Sequence, residues 1–457
     1  MNTEVLKLCE AVREAGGRAM LVGGSVRDRL LGVESKDFDV EVYGLDPERL
    51  RSVLEQMGQV NAVGEHFAVY KLVFYRPALT ASDNPAPPAD RSTQERVEID
   101  VSIPRRESKS GRGHRGFVIE GDPSMTFEEA ARRRDFTINA ILYDPLTCET
   151  IDPYGGRRDF ERRVLRAVSA DTFVEDSLRV LRAVQLSARF QMTIEPATIE
   201  LCRTIDVSDL PRERIWGEVE KLLTLAERPS IGLAAALELG VLDKLFPEIR
   251  ALVGYQQDDD VHAEDAFAHT KLSLDEAAKL AGDLSKPERV ALMLAVLCHN
   301  LGKLQTEAAA PILSVLNTLG VHTVGGYDAR SQILALAREC SKPREFYGAR
   351  ESTSDGDFRR LAQQVDIDLL YRVAKACASA HGSASSAVAE NWFIERARAL
   401  GVEHGPPAPV LQGRHLMEAG YEPGPEMGRL LRRVYELQLD GKVSTLEEAL
   451  VAARDVS

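Results

Sequence analysis

One stretch, LVGGSVRDRLLGVESKDFDVEVY over residues 21–43, constrains the chain more than any other. An apolar run ends in two glycines, a helix-compatible segment follows, and KDFDVEVY then alternates polar with apolar side chains. That order predicts strand, tight turn, short helix, strand. Gly23 and Gly24 let the backbone turn and present successive N–H groups, and the amides opening the helix point the same way, so the turn makes a concave anion site. Arg27, one turn into the helix, is placed to reach a phosphate. On the next strand, side chains two apart share a face, so Asp37 and Asp39 point one way and Phe38 points into the core. Paired like charges repel, and such a pair is usually tolerated where a cation sits between them. A phosphate cradle followed by paired aspartates is what metal-assisted phosphoryl transfer needs, with Mg²⁺ neutralising a triphosphate and lowering the pKa of an attacking hydroxyl. Either piece alone also fits a plain turn beside a solvated strand. The two together at this spacing point to chemistry.

The rest of the chain organises around that head. Residues 1–20 form an amphipathic helical pattern, with Val5, Leu6, Cys9, Val12 and Ala15 on one side and Gly16-Gly17 as its stop. Residues 47–57 make a second helix that starts at Pro47. Residues 67–74 and 96–103 alternate as strands, separated by a Pro/Ser/Asp-rich insertion over 77–96. The last strand signal lies in DFTINAILYDP, and everything after about Gly156 has helical periodicity: 172–190, 214–225, 231–239, 269–281, 289–299, 357–380 and 427–439. The fold class is therefore α+β, a mixed α/β head over residues 1–155 followed by an elongated all-α neck (156–225), body (226–385) and tail (386–457).

Charge narrows the partners. The 457 residues carry a net charge of −14, which argues against bulk affinity for nucleic acid. Local arginine clusters at 105–115, 132–134 and 157–166 supply basic patches, each of which could equally be a solvated face. Six cysteines without a C-x-x-C spacing read as free thiols. No apolar run reaches the length of a membrane span and the first ten residues lack a signal-peptide core, so the expected location is cytoplasmic, with no membrane partner. No oligomeric state follows from these features.

Further carboxylates and arginines extend the candidate site. Asp100 on RVEIDVSI is a candidate third acid, able to orient or deprotonate a nucleophile, with Glu98 on the same face as its competitor. In ARRRDFTINAILYD, Arg133 and Arg134 supply charge for a triphosphate, while Asp135 and Asn139 can hydrogen-bond a ribose hydroxyl; a site built to bond the 2′-OH rejects a nucleotide without it. In VEDSLRVLRAVQLSARF, Glu175, Asp176, Arg179 and Arg182 fall at helical spacing. Asp176 beside Arg179 offers an acceptor and donors in fixed geometry, able to imitate a Watson–Crick edge.

GGSVRDRLLG and KDFDVEVY together resemble the signature of class II tRNA nucleotidyltransferases, the CCA-adding enzymes, and of their bacterial poly(A) polymerase relatives. RRDFTINA, IDPYGGRRDF, EDSLR and PRERIWGEVEKLL resemble the motifs that follow in that family, in the same order. The resemblance implies template-independent addition of C and A from CTP and ATP to the 3′ end of tRNA, recognised at its acceptor arm, with Mg²⁺ as cofactor. It implies that Asp37 and Asp39 hold the metal and that Asp100 assists the 3′-OH. Gly23, Gly24, Arg27 and Arg133 would hold the triphosphate, and Asp176, Arg179 and Arg182 would read the base. RRESKSGRGHRG would be the loop that closes on the nucleotide, or an ordinary surface loop. Basic residues of the tail, among them Arg414, Arg432 and Arg433, could contact RNA backbone.

A second centre is expected around His262, His269 and His299-Asn300, which resembles an HD-type metal phosphohydrolase domain. Asn300 stands where that pattern needs an aspartate, and a neutral amide is a weaker ligand, so the domain reads as degenerate. The alternatives to CCA addition are A-only addition or polyadenylation, an HD-type hydrolase, and a non-catalytic RNA-binding protein.

Overall fold

The computed structural model describes residues 3–30, 32, 38–62, 69–77, 94–109, 117–256, 265–303, 309–380 and 387–456. Two compact units emerge, one of residues 1–183 with 192–209 and one of residues 184–191 with 210–457.

The first unit is built on a seven-stranded mixed sheet. In chain order its strands are β1 (Arg18–Val22), β2 (Phe38–Tyr43), β3 (Gln59–Ala62), β4 (Val69–Pro77) and β5 (Gln94–Ser102). A separate hairpin of β6 (Arg105–Lys109) and β7 (Phe117–Gly121) follows, then β8 (Leu142–Tyr143) and β9 (Thr150–Ile151). The spatial order is β3-β4-β5-β2-β1-β8-β9, and β2 and β5 run parallel at its centre.

Alternation along these strands makes two apolar faces. Leu21, Val40, Val42, Leu72, Ile99 and Val101 pack on one face with α1 (Thr3–Glu14) and α3 (Pro47–Glu55). The buried face of α1 uses Val5, Leu8, Cys9 and Val12; Leu8 takes the place expected of Leu6, because the helix meets the sheet one position round from the simplest wheel. On the opposite face Met20, Val22, Tyr43 and Leu142 pack with Ala130 and Ala131 of α4 (Phe127–Arg132). A Thr126/Glu129 capping box starts α4 by satisfying its first amides from both sides.

After α4 the chain makes short pieces: a 3₁₀ turn at Thr137–Asn139, α5 (Gly156–Glu161), α6 (Ala170–Phe173) and α7 (Leu178–Arg189). A two-stranded parallel pair, β10 (Val164–Leu165) with β11 (Thr193–Ile194), interrupts the all-helical stretch expected after Gly156. The expected helix over 172–190 is also two helices, with residues 174–177 outside either. Asp176 sits in that break and its Oδ1 accepts from the Leu178 amide at 3.1 Å, since Asp and Ser side chains compete for backbone N–H groups near helix starts.

Gly156 is where α5 presses on the 3₁₀ turn. A Cβ there would fall inside the Thr137 carbonyl group, and Thr137 is itself anchored, its Oγ1 donating to buried Asp159 at 2.9 Å. We expect Gly156→Ala to destabilise the protein by about 1–3 kcal/mol in chemical denaturation, because the clash is with backbone that has nowhere to go.

The second unit is helical among the described residues. Its core includes the helices Ala266–Leu280, Lys286–Cys298 and Ile367–Ser379. The helix expected over 357–380 is divided, with Asp355–Leu361 ending before Asp366 caps the next by accepting from the Leu369 amide. No helix among the described residues is long and apolar enough to cross a membrane.

Candidate active site

The central parallel pair brings carboxylates of two distant segments together. Asp39 on β2 is the register partner of Asp100 on β5, and Asp100 is in turn opposite Lys71 on β4. Cross-strand partners project to the same side, so the three form a row on the sheet face that also carries Glu41 and Tyr43. Asp39 and Asp100 are exposed. Lys71 bridges Glu98 at 3.1 Å and lies 3.7 Å from Asp100, and these carboxylates hold its ammonium pKa above the ordinary lysine value.

A cleft of about 400 Å³ opens over this row. Val22, Asp39, Glu41, Asp100 and Ser102 line it from the sheet, and Arg105, Arg133 and Arg134 bring three cations to its wall. Glu98, the competitor of Asp100 in the sequence, instead pairs with Lys71 and Arg96. Asp37 lies outside the described residues.

The Gly23-Gly24 turn sits at the edge of this row. Gly23 has φ +70°, in the left-handed region that favours glycine, and Gly24 opens α2 (Gly24–Leu30). A Cβ on Gly23 would lie 3.4 Å from Arg134 Nη1 and 3.5 Å from Asp39 Oδ2, so the glycine leaves open the space between a guanidinium and a carboxylate.

Arg27 differs from its expected position. It is 5% exposed, and its guanidinium donates to Asn139 Oδ1 at 2.9 Å and to Asp28 Oδ1 at 2.7 Å. Asn139 Nδ2 then donates to Asp135 Oδ1 at 3.0 Å, and Asp135 Oδ2 accepts from Arg182 Nε at 2.6 Å. A buried relay thus runs Arg27–Asn139–Asp135–Arg182, from the helix after the glycine turn to α7. Burial alone would raise the Asp135 carboxyl, but Arg182, Asn139 and the Phe136 amide together hold it below the usual carboxylate value. Asp135 and Asn139 are both buried and neither lines the cleft wall, so the geometry makes them supports for Arg182, where direct ribose contact was expected.

The expected Asp176/Arg179 pair on one helical face also takes another form. Asp176 precedes α7, while Arg179 donates 2.5 Å hydrogen bonds to the Thr172 and Arg133 carbonyls. These tie α7 to α6 and to the end of α4, because a guanidinium satisfies two backbone acceptors at once. Arg133 donates to the Arg105 carbonyl, which fixes the root of the β6–β7 hairpin beside the cleft. The flanks of the expected flexible loop are therefore a paired ribbon; residues 110–116 lie outside the description.

Sequence reasoning left out Glu41, and it took Asp159 only as part of the IDPYGGRRDF motif, without its tertiary partners. Glu41 is the third acid of an alternating D-x-D-x-E, a signal present in KDFDVEVY. Asp159, 1% exposed, takes Thr137 Oγ1 and Arg166 Nε, each at 2.9 Å, and no spacing rule announces that tertiary role.

In the second unit, the His269 and His299 rings meet at a 60° tilt with centroids 5.2 Å apart, beside buried Asn300. His269 Nε2 lies 3.1 Å from the Cys377 carbonyl, His299 Nδ1 lies 2.7 Å from the Val296 carbonyl, and Asn300 Nδ2 donates to Thr270 at 3.1 Å. Among the described residues no group of three His, Cys, Asp or Glu is arranged to hold a metal ion; His262 falls outside them.

Comparison with known proteins shows what this chain is similar to. Residues 19–166 match the poly A polymerase head domain, and residues 191–252 match the family described as the probable RNA and SrmB-binding site of polymerase A. The multifunctional CCA protein of Xylella fastidiosa (strain 9a5c) is 38% identical over 300 residues, 64% of each chain. That of Stenotrophomonas maltophilia (strain K279a) is 42% identical over 291 residues, 62% of this chain and 63% of its own. The matched stretch spans a little under two thirds of these curated relatives. Among solved structures, the Bacillus stearothermophilus CCA-adding enzyme in complex with CTP shares the fold at TM-score 0.65 and 20% identity, covering 100% of this chain and 98% of that one.

Proposed function

We propose, from the premise that the chain belongs to the class II nucleotidyltransferases built on the poly A polymerase head, that it adds C and A from CTP and ATP to the 3′ end of tRNA. The observation that carries this reading is Asp39 opposite Asp100, both exposed, in a cleft whose wall holds Arg105, Arg133 and Arg134. Nucleotidyltransferases of this family use a divalent metal, and the donor set fits one. Exposed carboxylates in register on neighbouring strands repel each other unless a cation lies close, and hard oxygen donors suit Mg²⁺.

Asp39, with Asp37 from the same strand pattern, would hold the ion. Bound there, Mg²⁺ would neutralise triphosphate charge and acidify an attacking hydroxyl. The chain's own residues do the rest. Arg133 and Arg134 meet the triphosphate, and Gly23 leaves room for it. Asp100 accepts the hydrogen bond of the tRNA terminal 3′-OH and orients its oxygen toward the α-phosphorus, from which pyrophosphate departs. Arg182, held from behind by Asp135, forms the base-reading end of the site, with Asp176 and Arg179 bracing the start of α7 that carries it.

We place the protein in the cytoplasm with its tRNA and divide it functionally into head (1–155), neck (156–225), body (226–385) and tail (386–457), the tail contacting the acceptor arm. The body is assigned no hydrolase activity, since Asn300 is hydrogen-bonded to Thr270 and is a neutral amide.

The test uses tRNA transcripts ending at the discriminator base, at C or at CC, with Mg²⁺ and ATP, CTP or both. Growth of all three to one CCA end is expected. Extension of the CC-ended transcript alone would make the protein an A-adding enzyme, long A tails would make it a polymerase, and no extension would sink the reading.

A further inference from the structure

Glu41 is a carboxylate with no assigned task at the boundary of the cleft. Along β2 the polar face runs from exposed Asp39 through Glu41, 9% exposed, to Tyr43, 6% exposed. The Tyr43 ring is fixed edge-on against Phe127 at 4.6 Å between centroids, and its hydroxyl donates to Glu41 Oε2 at 2.6 Å. Burial and the neighbouring Glu41 charge keep the Tyr43 phenol protonated far above its ordinary pKa, so it remains a donor. The other oxygen, Glu41 Oε1, faces Arg134 Nη2 at 3.5 Å.

That pairing decides where the Arg134 guanidinium goes. Its Nη1 lies over Gly23, on the far side of the same small space as Asp39 Oδ2. Arg134 Nε is buried without a hydrogen-bond partner, a cost that an arginine free to choose would avoid by turning to the nearest carboxylate. The carboxylate across that space is Asp39, and an Arg134–Asp39 pair would occupy both the phosphate cradle and the carboxylate opposite Asp100. Glu41 is ill placed to be a metal ligand itself, because one oxygen is taken by Tyr43 and the group is buried.

We propose that Glu41 and Tyr43 are positioning residues that hold Arg134 over Gly23, ready for the phosphates of the incoming nucleotide and away from Asp39. The inference rests on the nucleotidyl-transfer reading above and deepens it by naming what sets nucleotide affinity. It predicts that the effect is common to ATP and CTP, since the phosphates are common to both.

The experiment compares wild type with Glu41→Gln and Tyr43→Phe, reading equilibrium binding of ATP and CTP without tRNA, then kcat and KM with tRNA. Glu41→Gln should weaken both nucleotides about tenfold and raise both KM values alike, with kcat within about twofold, because the neutral amide no longer holds the guanidinium by charge. Tyr43→Phe should move the same quantities in the same direction, about threefold, because the carboxylate remains but is no longer anchored. Unchanged binding in both variants would overturn the proposal. So would a collapse of kcat at constant KM, which would make Glu41 a metal ligand. Thermal unfolding identifies a variant that has not folded, and Tyr43→Phe then carries the test. A wild type that binds nucleotide but extends no tRNA would defeat the activity reading while leaving the Glu41 comparison decisive through binding; a wild type that binds no nucleotide would overturn both.

Discussion

On the nucleotidyl-transfer reading proposed above, Asp39→Asn is expected to leave a folded protein that extends tRNA at least about a thousandfold more slowly than wild type. The residue is exposed, and the neighbouring Val40 and Val42, not Asp39, carry the packing of β2. The change to the isosteric amide is at an exposed position, so thermal stability should stay within about 0.5 kcal/mol. What would disappear is a negatively charged oxygen donor for the divalent ion proposed to bind there. Charge stabilisation of that kind is worth several kcal/mol, and about 4 kcal/mol corresponds to a thousandfold in rate. Single-turnover extension of a CC-ended transcript, beside a melting curve, checks both halves. A variant with wild-type rate would remove Asp39 from the chemistry.

The second large effect concerns stability and fidelity together. Asp135→Ala should cost about 2–3 kcal/mol in chemical denaturation, because it leaves Asn139 and Arg182 facing a buried hole. Arg182 is one-third exposed and water reaches part of it, which sets the figure at the low end for a broken buried pair. Asp135→Asn keeps the shape and isolates the charge. The folded-state pKa of Asp135 is depressed, so its contribution is fully present above the unfolded value near pH ~4 and is lost as pH falls through the lower folded value. The stability gap between wild type and Asp135→Asn should therefore be constant near neutrality and close in acid. If Arg182 reads the base, both variants should also misincorporate more, with Arg182 no longer held from behind.

The parts of the site that depend on local geometry were legible in the sequence. Gly23-Gly24 before a helix and Asp39 on an alternating strand need nothing beyond neighbouring residues to be read. The parts that depend on tertiary partners were not. Arg27 one turn into a helix looks free to reach outward, yet Asn139, 112 residues later, claims its guanidinium. Asp176 and Arg179 at i, i+3 imply a shared face only if the helix includes both, and the Asp side chain starts the helix after itself. The β6–β7 hairpin was hidden because Ser, Gly and Arg dominate its sequence, while pairing between Arg105 and Gly121 is fixed by backbone. Glu41 was visible in the alternation but had no evident partner until Tyr43 and Arg134 were placed beside it.

The ladder between β4 and β5 also bears on how such a chain can vary over time. It continues to Pro77 opposite Gln94, so the chain leaves and re-enters the sheet at adjacent points. Lys71 opposite Asp100 is held by the intervening pairs and owes nothing to the length of residues 78–93. Insertions or deletions there leave the Lys71–Asp100–Asp39 register untouched, whereas a single residue gained or lost between Gln94 and Asp100 would turn that carboxylate to the opposite face. Drift in length is thus confined to one side of Gln94, and selection on the other side acts on count as strictly as on residue identity.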